Sequence, residues 1–177
     1  MIKGKKVNLR AYKKTDLETL YNLFENNKVK RTLLMGTNTP TAIEYENLFI
    51  EKNLIFESEL YNFAIESSST GEYIGGCGIN KIDRKNSFAT VGIWLGEPFQ
   101  GRGYGADALR TLCNFIFQEM NIHKIKLNCF SFNFQGLICY QAVGFKEEGI
   151  SRKEIFRDGQ YHDIILMGLF KDELILK

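Results

Sequence analysis

The spacing of apolar residues changes its period near the middle of the chain. Val91, Ile93 and Leu95 alternate with smaller or more polar neighbours, which predicts a buried or half-buried strand over Ser87–Leu95. Beyond Gly103 the apolar residues follow the three-and-four spacing of a core-facing helix. The inward positions of this helix are Leu109, Leu112, Cys113, Ile116, Phe117 and Met120. A glycine-rich turn therefore lies between a strand and a helix.

Similar patterns predict the other elements. The further strands are 7–9, 61–65, 72–82, 124–130, 146–156 and 161–170, the last two forming a hairpin around Asp158-Gly159. The further helices begin at the capping pattern Thr15-Asp16-Leu17-Glu18, at Thr39-Pro40-Thr41 and at Phe134. In the second of these helices, Tyr45, Leu48 and Phe49 are expected to face inward. Gly144 is expected to end the third.

The order of these elements predicts an α/β fold. Three successive strands with short turns indicate an antiparallel meander, and the strand–helix–strand unit that follows makes 87–95 and 124–130 a parallel pair. We therefore expect a mixed, mostly antiparallel sheet of about seven strands with helices on both faces. The whole sequence, residues 1–177, is expected to form one domain.

The turn between strand and helix has the composition of an anion site. The first turn of a helix leaves backbone N–H groups without partners and carries positive partial charge. Gly101, Gly103 and Gly105 have no Cβ to keep a phosphate away from those groups, and they tolerate positive φ angles. Turn geometry alone could require glycine. Three alternating glycines beside Gln100 and Arg102 nevertheless favour pyrophosphate binding.

Two other nucleotide motifs fit this turn less well. Residues 101–106 match the G-x-G-x-x-G/A dinucleotide fingerprint in form, but that motif requires an acidic residue about 20 positions later. The segment Ile125–Phe130, where that residue would stand, has no carboxylate. A P-loop would need Gly-Lys-Ser or Gly-Lys-Thr, which the chain lacks.

Two blocks carry a resemblance to a known family. Gln100-x-x-Gly103-x-Gly105 resembles the Q/R-x-x-G-x-G/A loop that binds the coenzyme A pyrophosphate in GNAT N-acetyltransferases. Segment 133–145 is similar to that family's N-x-x-S/A-x-x-x-Y-x-x-x-G-F block. The resemblance covers nearly the whole chain. It is closest to the branch of ribosomal-protein N-terminal (alanine/serine) acetyltransferases and spermidine acetyltransferases, whose tail resembles Arg157–Tyr161.

The resemblance implies acetyl-CoA as the acyl-donor cosubstrate and a splayed parallel strand pair that admits its pantetheine arm. That arm would contact the strand edge near Ile93, Trp94 and Leu95. The implied pyrophosphate residues are Gln100, Gly101, Arg102, Gly103, Tyr104, Gly105 and Ala106. Asn133 would hold the cofactor arm or the helix entry. As an ordinary helix N-cap it would need no cofactor, and both interpretations stay open.

Tyr140 is the candidate catalytic residue. Acetyl transfer requires a neutral attacking amine, a donor for the oxyanion and a proton for the departing CoA thiolate. Tyr140 stands at the position of the family's tyrosine acid, so the resemblance implies that it is the general acid. A core aromatic is the alternative. A backbone N–H near Trp94 or Leu95 is the hypothesised oxyanion donor.

The general base is not identified by the sequence. Many GNAT enzymes carry a glutamate where Thr90 stands, and a threonine cannot usefully accept a proton near neutral pH. This difference favours a water relay or an acceptor-side residue such as Glu72, His162 or Asp163, none of them compelling. Acyl transfer through Cys139 is a minor alternative, because it requires an imidazole and a lowered thiol pKa.

Composition narrows the classes of partner. The net charge of +2 gives no strong electrostatic case for nucleic acid or a membrane surface. The N-terminus has no signal-peptide pattern and the chain has no 18-residue apolar run, so a cytoplasmic protein is expected. The four cysteines lack metal-ligand spacing, so we expect reduced, buried thiols and no metal.

The leading hypothesis is an acetyl-CoA-dependent N-acetyltransferase in which a primary amine attacks directly. The acceptor, whether a protein N-terminus, a polyamine or a small molecule, stays open. Segment 36–39 lacks the acidic residues of the spermidine enzymes, although Glu44, Glu46 and Glu51 follow it. Leu33-Leu34-Met35 either packs down or lines an acceptor groove. A non-catalytic CoA-binding or sensor domain is the alternative function, and a homodimer is a hypothesis by analogy only.

Overall fold

A computed structural model describes residues 1–33, 37, 39–54 and 61–176 of the chain. The strands are β1 Ile2–Lys3, β2 Val7–Arg10, β3 Tyr61–Ser67, β4 Tyr73–Asp83, β5 Phe88–Leu95, β6 Lys124–Phe130, β7 Lys146–Arg157 and β8 Gln160–Phe170. The helices are α1 Leu17–Phe24, α2 Asn27–Arg31, α3 Ile43–Leu54, α4 Tyr104–Glu119 and α5 Phe134–Val143. None of the helices in these ranges is long and apolar enough to span a membrane.

All the strands belong to one mixed sheet in the order β1-β2-β3-β4-β5-β6-β8-β7. Every neighbouring pair is antiparallel except β5 and β6, which are parallel as predicted. Their pairing extends only from Phe88 opposite Lys124 to Thr90 opposite Lys126, so the two strands diverge beyond Thr90. The prediction of a mostly antiparallel sheet with a splayed parallel pair is confirmed. The expected count of about seven strands misses the two-residue β1, which is too short to show a pattern.

The two faces of the sheet have separate apolar cores. Neighbouring residues of β3 point to opposite faces, so Ile65 packs with α4 while Ala64 packs with α1 and α3. The predicted inward stripe of α4 is buried as expected from Leu109 to Phe117. Met120 is the C-cap residue of the helix, and its side chain is half-buried. Each such buried side chain stabilises the fold by roughly 1.5–3 kcal/mol. The burial fixes α4 against β4 and β5, and hence the turn that precedes it.

The prediction for the inward face of α3 is wrong in part. Tyr45 and Leu48 are 59% and 54% exposed, whereas Glu46 is only 5% exposed. Ile50 of α3 is completely buried in the apolar core that it forms with α1 and Tyr12. This burial fixes the rotation of α3 about its axis. Apolar residues occur on more than one side of this helix, so the sequence period did not select the correct face. The helix also begins at Ile43, later than predicted.

Two local predictions near the N-terminus need correction. The segment from Asn26, to which the sequence pattern assigns no helix or strand, contains the short helix α2. At the start of α1, Asp16 lies at the N-cap position, in place of the predicted Thr15 and Glu18 box. Its carboxylate instead accepts two hydrogen bonds from the buried guanidinium of Arg10, at 2.8 and 2.9 Å. A second carboxylate, that of Glu66, also pairs with Arg10.

Candidate functional site

A cavity of about 450 Å³ passes through the sheet where β5 and β6 diverge. Its walls include Trp94 of β5 and Asn128 of β6. Phe24 of α1 lines it on one face of the sheet, and Leu109 of α4 and Tyr140 of α5 belong to the other face. One continuous space therefore joins the two sides of the molecule. Following what the resemblance implies, the side of α4 and α5 is called the coenzyme side below, and the side of α1 and α3 the acceptor side.

The divergence leaves one edge of β5 without a strand partner. On the other edge, Gly96 N–H donates to Ile74 C=O of β4 at 3.0 Å. Because backbone groups alternate in direction along an antiparallel pair, Ile93 and Leu95 direct their N–H and C=O groups into the gap. By the same alternation, the backbone of Trp94 faces β4, and its indole ring lines the cavity. The open edge thus begins at Ile93, and contact of a pantetheine arm with this edge stays a prediction.

The predicted anion-binding turn joins β5 to α4. Gly101 and Gly103 have φ angles of +73° and +82°, which residues with a Cβ rarely adopt. A Cβ at Gly101 would have no atom within 4 Å, so the space beside this residue is open. Gly103 is the N-cap of α4, and the next three residues, Tyr104, Gly105 and Ala106, present the unpaired N–H groups of the first helical turn. The turn therefore combines open space with unpaired donors.

Three contacts hold this turn in place. The side chain of Gln100 donates to Leu95 C=O at 2.9 Å. The carboxylate of Asp107 accepts the N–H groups of Lys6 at 2.6 Å and of Val7 at 3.0 Å, which ties the helix start to β2. The Lys6 ammonium donates to Arg102 C=O at 3.0 Å. Lys6 thus adds a second positive charge beside the turn, next to that of Arg102. The two residues are 96 positions apart in sequence, so sequence analysis did not identify this contact.

Asn133 caps α5, and the helix then packs against the turn. Its side-chain oxygen accepts Gly136 N–H at 3.1 Å, so the N-cap interpretation is satisfied by the structure. A role in holding a cofactor stays a prediction. Two turns further along α5, Cys139 lies against Gly105. A Cβ added to Gly105 would be only 3.3 Å from the Cys139 sulfur. This close approach explains why the third glycine of the motif is small.

Tyr140 lies next to Cys139 and lines the cavity. Burial raises the pKa of its phenol above the ordinary value, with smaller contributions from Cys129 and Cys139. Its ring packs against Phe145 at 6.3 Å between centroids. No group in the described part of the chain hydrogen-bonds to its hydroxyl. A protonated phenol that faces a cavity without a protein partner can donate a hydrogen bond to a bound molecule.

The alternative of a cysteine nucleophile finds no support in this geometry. Burial raises the pKa of the Cys139 thiol to about 11, and the charge of Arg110 opposes this only in part. A nucleophilic cysteine needs a lowered pKa and a neighbouring base. Neither His123 nor His162 lines the cavity. The four cysteines are free thiols.

The base candidates named from the sequence lie outside the cavity. Glu72 is exposed at the β3–β4 turn. The His162 ring nitrogen pairs with Arg157 C=O at 3.1 Å, and the Asp163 carboxylate accepts Lys153 N–H at 2.7 Å. Thr90 does line the cavity, on the acceptor side. Among the described residues, the only carboxylate that lines it belongs to Glu46, which sequence reasoning had placed on the helix without singling it out.

Aromatic rings and one long-range ion pair shape the acceptor side. Trp94 meets Phe24 edge to face at 5.4 Å between centroids. Leu33, from the apolar run noted in the sequence, lines the cavity, while Leu34 and Met35 lie outside the described residues. The adjacent Arg31 pairs with Asp158 at the tip of the β7–β8 hairpin. This ion pair therefore links the end of α2, two residues before Leu33 of the cavity wall, to the hairpin.

The described ranges contain no group of three or more His, Cys, Asp or Glu side chains arranged to hold a metal ion. The residues that line the cavity supply hydrogen-bond donors, amides and a carboxylate. Their chemistry is that of acid–base and hydrogen-bonding catalysis.

Comparison with known proteins agrees with this geometry. Residues 6–146 match the model of the acetyltransferase (GNAT) domain. The chain is 26% identical to the spermidine N(1)-acetyltransferase of Escherichia coli, over 96% of this chain and 88% of that protein. It is also 26% identical to the ribosomal-protein-serine acetyltransferase of Escherichia coli, over 89% of each.

A solved structure extends the comparison to the fold. The spermidine N-acetyltransferase of Vibrio cholerae, in complex with CoA and spermine, superposes with a TM-score of 0.83. The match covers 95% of this chain and 97% of that one, at 23% sequence identity. At this identity the likeness establishes the fold alone. Because the family model spans most of the chain, including the turn and all of α5, this protein belongs to the GNAT family of acetyltransferases.

Proposed function

We propose that one domain, spanning residues 1–177, transfers an acetyl group from acetyl-CoA to a primary amine by direct attack of that amine. The observation that carries the proposal is the cavity through the β5–β6 gap. This cavity connects the coenzyme side of the sheet, where the turn lies, with the acceptor side. GNAT relatives include a structure with CoA, which supports this donor. The amine acceptors named for the relatives, spermidine and a ribosomal protein, support the acceptor class.

The coenzyme would lie along the turn and the open edge of β5. The N–H groups of residues 101–106 would bind its pyrophosphate, with Arg102 and Lys6 adding positive charge. The exposed backbone groups of Ile93 and Leu95 would hold the pantetheine arm, although Leu95 C=O is already occupied by Gln100. This arrangement would leave the thioester inside the gap, next to Tyr140.

Tyr140 would act as the general acid. When an amine attacks the carbonyl carbon of the thioester, the C–S bond breaks and the sulfur leaves as a thiolate. A CoA thiolate needs a proton or a strong hydrogen bond at that moment, and the Tyr140 hydroxyl is held protonated by its burial. A backbone N–H on the open edge of β5 would stabilise the oxyanion. The attacking amine would lose its proton to solvent or a water relay, since Thr90 cannot accept it.

The test measures free thiol released from acetyl-CoA by the wild-type protein with peptides, polyamines and amino-sugar antibiotics. Replacement of the phenol in Tyr140→Phe should lower kcat by about 100-fold with little change in acetyl-CoA affinity, because only proton donation is lost. Tyr161→Phe is the matched control, since Tyr161 is 65% exposed and lies on β8 away from the cavity. Unchanged kcat in Tyr140→Phe would remove Tyr140 from catalysis.

A non-catalytic CoA-binding or sensor domain is the second candidate. It is favoured by Thr90, which stands in the cavity where a carboxylate base would be useful. This candidate predicts calorimetric binding of CoA without thiol release for any amine. Amine-dependent thiol release by the wild-type protein would rule it out.

A further inference from the structure

The acceptor side of the cavity contains a buried carboxylate that no role described so far uses. Glu46 lies on α3, lines the cavity, and is 5% exposed. Tyr45 and Leu48 of the same helix also line the cavity, but they are 59% and 54% exposed. Ile50 anchors α3 by its burial, so the inward rotation of Glu46 is a fixed feature of the packing.

The nearest charges leave this carboxylate in excess. The Lys30 ammonium, itself 7% exposed, pairs with Glu25. Its other bonds go to Thr39 C=O at 3.0 Å and to the Thr41 hydroxyl at 3.3 Å, so all three of its N–H donors are used. Glu25 therefore already compensates Lys30. When Glu46 is charged, the cluster of one lysine and two glutamates has a net charge of −1.

Glu46 lacks compensation of its own. Its Oε1 atom is fully buried and has no hydrogen-bond partner within the described part of the chain. Burial is the main cause that raises the pKa of this carboxyl group. The charge of Glu25 raises the pKa further, and the charge of Lys30 opposes both effects. Lys52 also lines the cavity, but it is exposed and makes no ion pair with Glu46. An unpaired buried carboxylate is costly, so a site for a positively charged ligand is its simplest use.

We propose that Glu46 binds a second positively charged group of the acceptor, so that the preferred acceptor is an amine that carries an additional cation. This inference rests on the proposed acetyl transfer for the identity of the ligand. Glu46 lies on the acceptor side and Tyr140 on the coenzyme side of one cavity. A linear diamine could place its neutral, reacting nitrogen near the thioester and its second ammonium against Glu46.

The buried position of Glu46 makes its ion pair with the second ammonium selective for acceptors that carry this charge. A charge-assisted hydrogen bond in a site shielded from water is stronger than one at the surface. A monoamine whose only nitrogen lies at the thioester has an apolar tail and leaves the carboxylate unpaired. Discrimination should therefore appear as weaker binding of a ligand that lacks the second cation. The amides of Asn62, Asn80 and Asn128 line the same cavity and offer neutral contacts along the chain of the ligand.

The test compares binding of N-acetyl-1,4-diaminobutane and N-butylacetamide to the CoA-loaded protein by calorimetry. Acetylation removes the charge of the reacting nitrogen, so only the first ligand carries a cation for Glu46. The wild-type protein should bind the first ligand at least about tenfold more tightly. Glu46→Gln should reduce this preference to less than about twofold. The control Glu44→Gln, which changes an exposed carboxylate on the same helix, should keep the wild-type preference. A preference that survives in Glu46→Gln would overturn the proposal.

Kinetics and stability complete the test. Glu46→Gln should raise KM for 1,4-diaminobutane with little change in kcat, because binding is lost and chemistry is not. A fall in kcat with both 1,4-diaminobutane and 1-aminobutane would assign Glu46 to proton transfer and overturn the binding role. The variant should melt at or above the wild-type temperature, since the buried carboxylate has no partner to lose. Binding is measured at equilibrium, so it still decides the role of Glu46 if no amine is acetylated.

Discussion

The coenzyme side of the cavity is built from backbone, and the acceptor side from side chains. The turn at 101–106 offers N–H groups and glycine space, positioned by the apolar stripe of α4. The acceptor side depends on rings such as Trp94 and on buried ions, including the Arg10–Asp16 pair and Glu46. Backbone donors suit a pyrophosphate common to a whole family, whereas side chains can change with the acceptor. Mutations on the two sides should therefore separate coenzyme binding from acceptor binding.

The largest expected effect is the loss of stability when the buried ion pair of the acceptor side is broken. Asp16→Asn should leave the Arg10 guanidinium partly unpaired and lower the free energy of unfolding by about 3 kcal/mol. Urea denaturation measures this change. Glu18→Gln, at an exposed position of α1, should stay within about 0.5 kcal/mol of the wild type. A loss below about 1 kcal/mol for Asp16→Asn would contradict a structural role for the pair.

A matched pair of glycine variants isolates the coenzyme turn. Gly101 and Gly71 share a φ angle of +73°, and a Cβ at either would have no atom within 4 Å. Replacement by alanine should cost each about 1 kcal/mol of stability through backbone strain. Only Gly101→Ala should also weaken CoA binding, by about tenfold or 1.4 kcal/mol, because its methyl group would occupy the space beside the pyrophosphate. Equal CoA affinity of the two variants by calorimetry would place the coenzyme elsewhere.

A smaller effect is expected at the ion pair between α2 and the β7–β8 hairpin. Arg31 and Asp158 are 40% and 49% exposed at their side chains, so their ion pair should contribute less than about 1 kcal/mol to stability. The Arg31 guanidinium also lies 4.3 Å from the centre of the Phe132 ring. Arg31→Gln should change acceptor KM by about twofold and leave CoA affinity unchanged. A larger change in CoA affinity than in acceptor KM would break the separation of the two sides.

The smallest expected change is in the alkaline limb of the pH–rate profile. The pKa of Tyr140 lies above its usual value near 10, so the phenol stays protonated at pH 10.5. With a peptide α-amine as acceptor, itself neutral above pH 9, kcat should remain constant within about twofold from pH 9 to pH 10.5. An ordinary tyrosine would be about three-quarters ionised at pH 10.5, and a roughly fourfold fall of kcat would follow. Circular dichroism at each pH checks that the protein remains folded.

The contrast between the two sides also explains what the sequence could predict. The strand period of β5, the helical period of α4 and the glycines between them are local signals, and each matches the structure. Gly144 likewise ends α5 with a φ angle of +116°, as expected from its position. Such local backbone geometry can thus be predicted from the sequence, because few residue types can adopt it.

The acceptor side depends on contacts between distant residues. The inward rotation of Glu46 follows from the packing of Ile50 against α1, which no period in α3 indicates. Lys6 reaches the turn only because Asp107 binds the start of β2. The single short β1 strand is visible only through its pairing with β2. Such features require the tertiary structure, and they include the residues that we expect to select the acceptor.

A crystal structure of the protein with CoA tests the central claim most directly. The account predicts the pyrophosphate on the N–H groups of residues 101–106, the pantetheine arm along the open edge of β5, and the sulfur within hydrogen-bond reach of the Tyr140 hydroxyl. A coenzyme bound outside the β5–β6 gap, or a sulfur directed away from Tyr140, would contradict it.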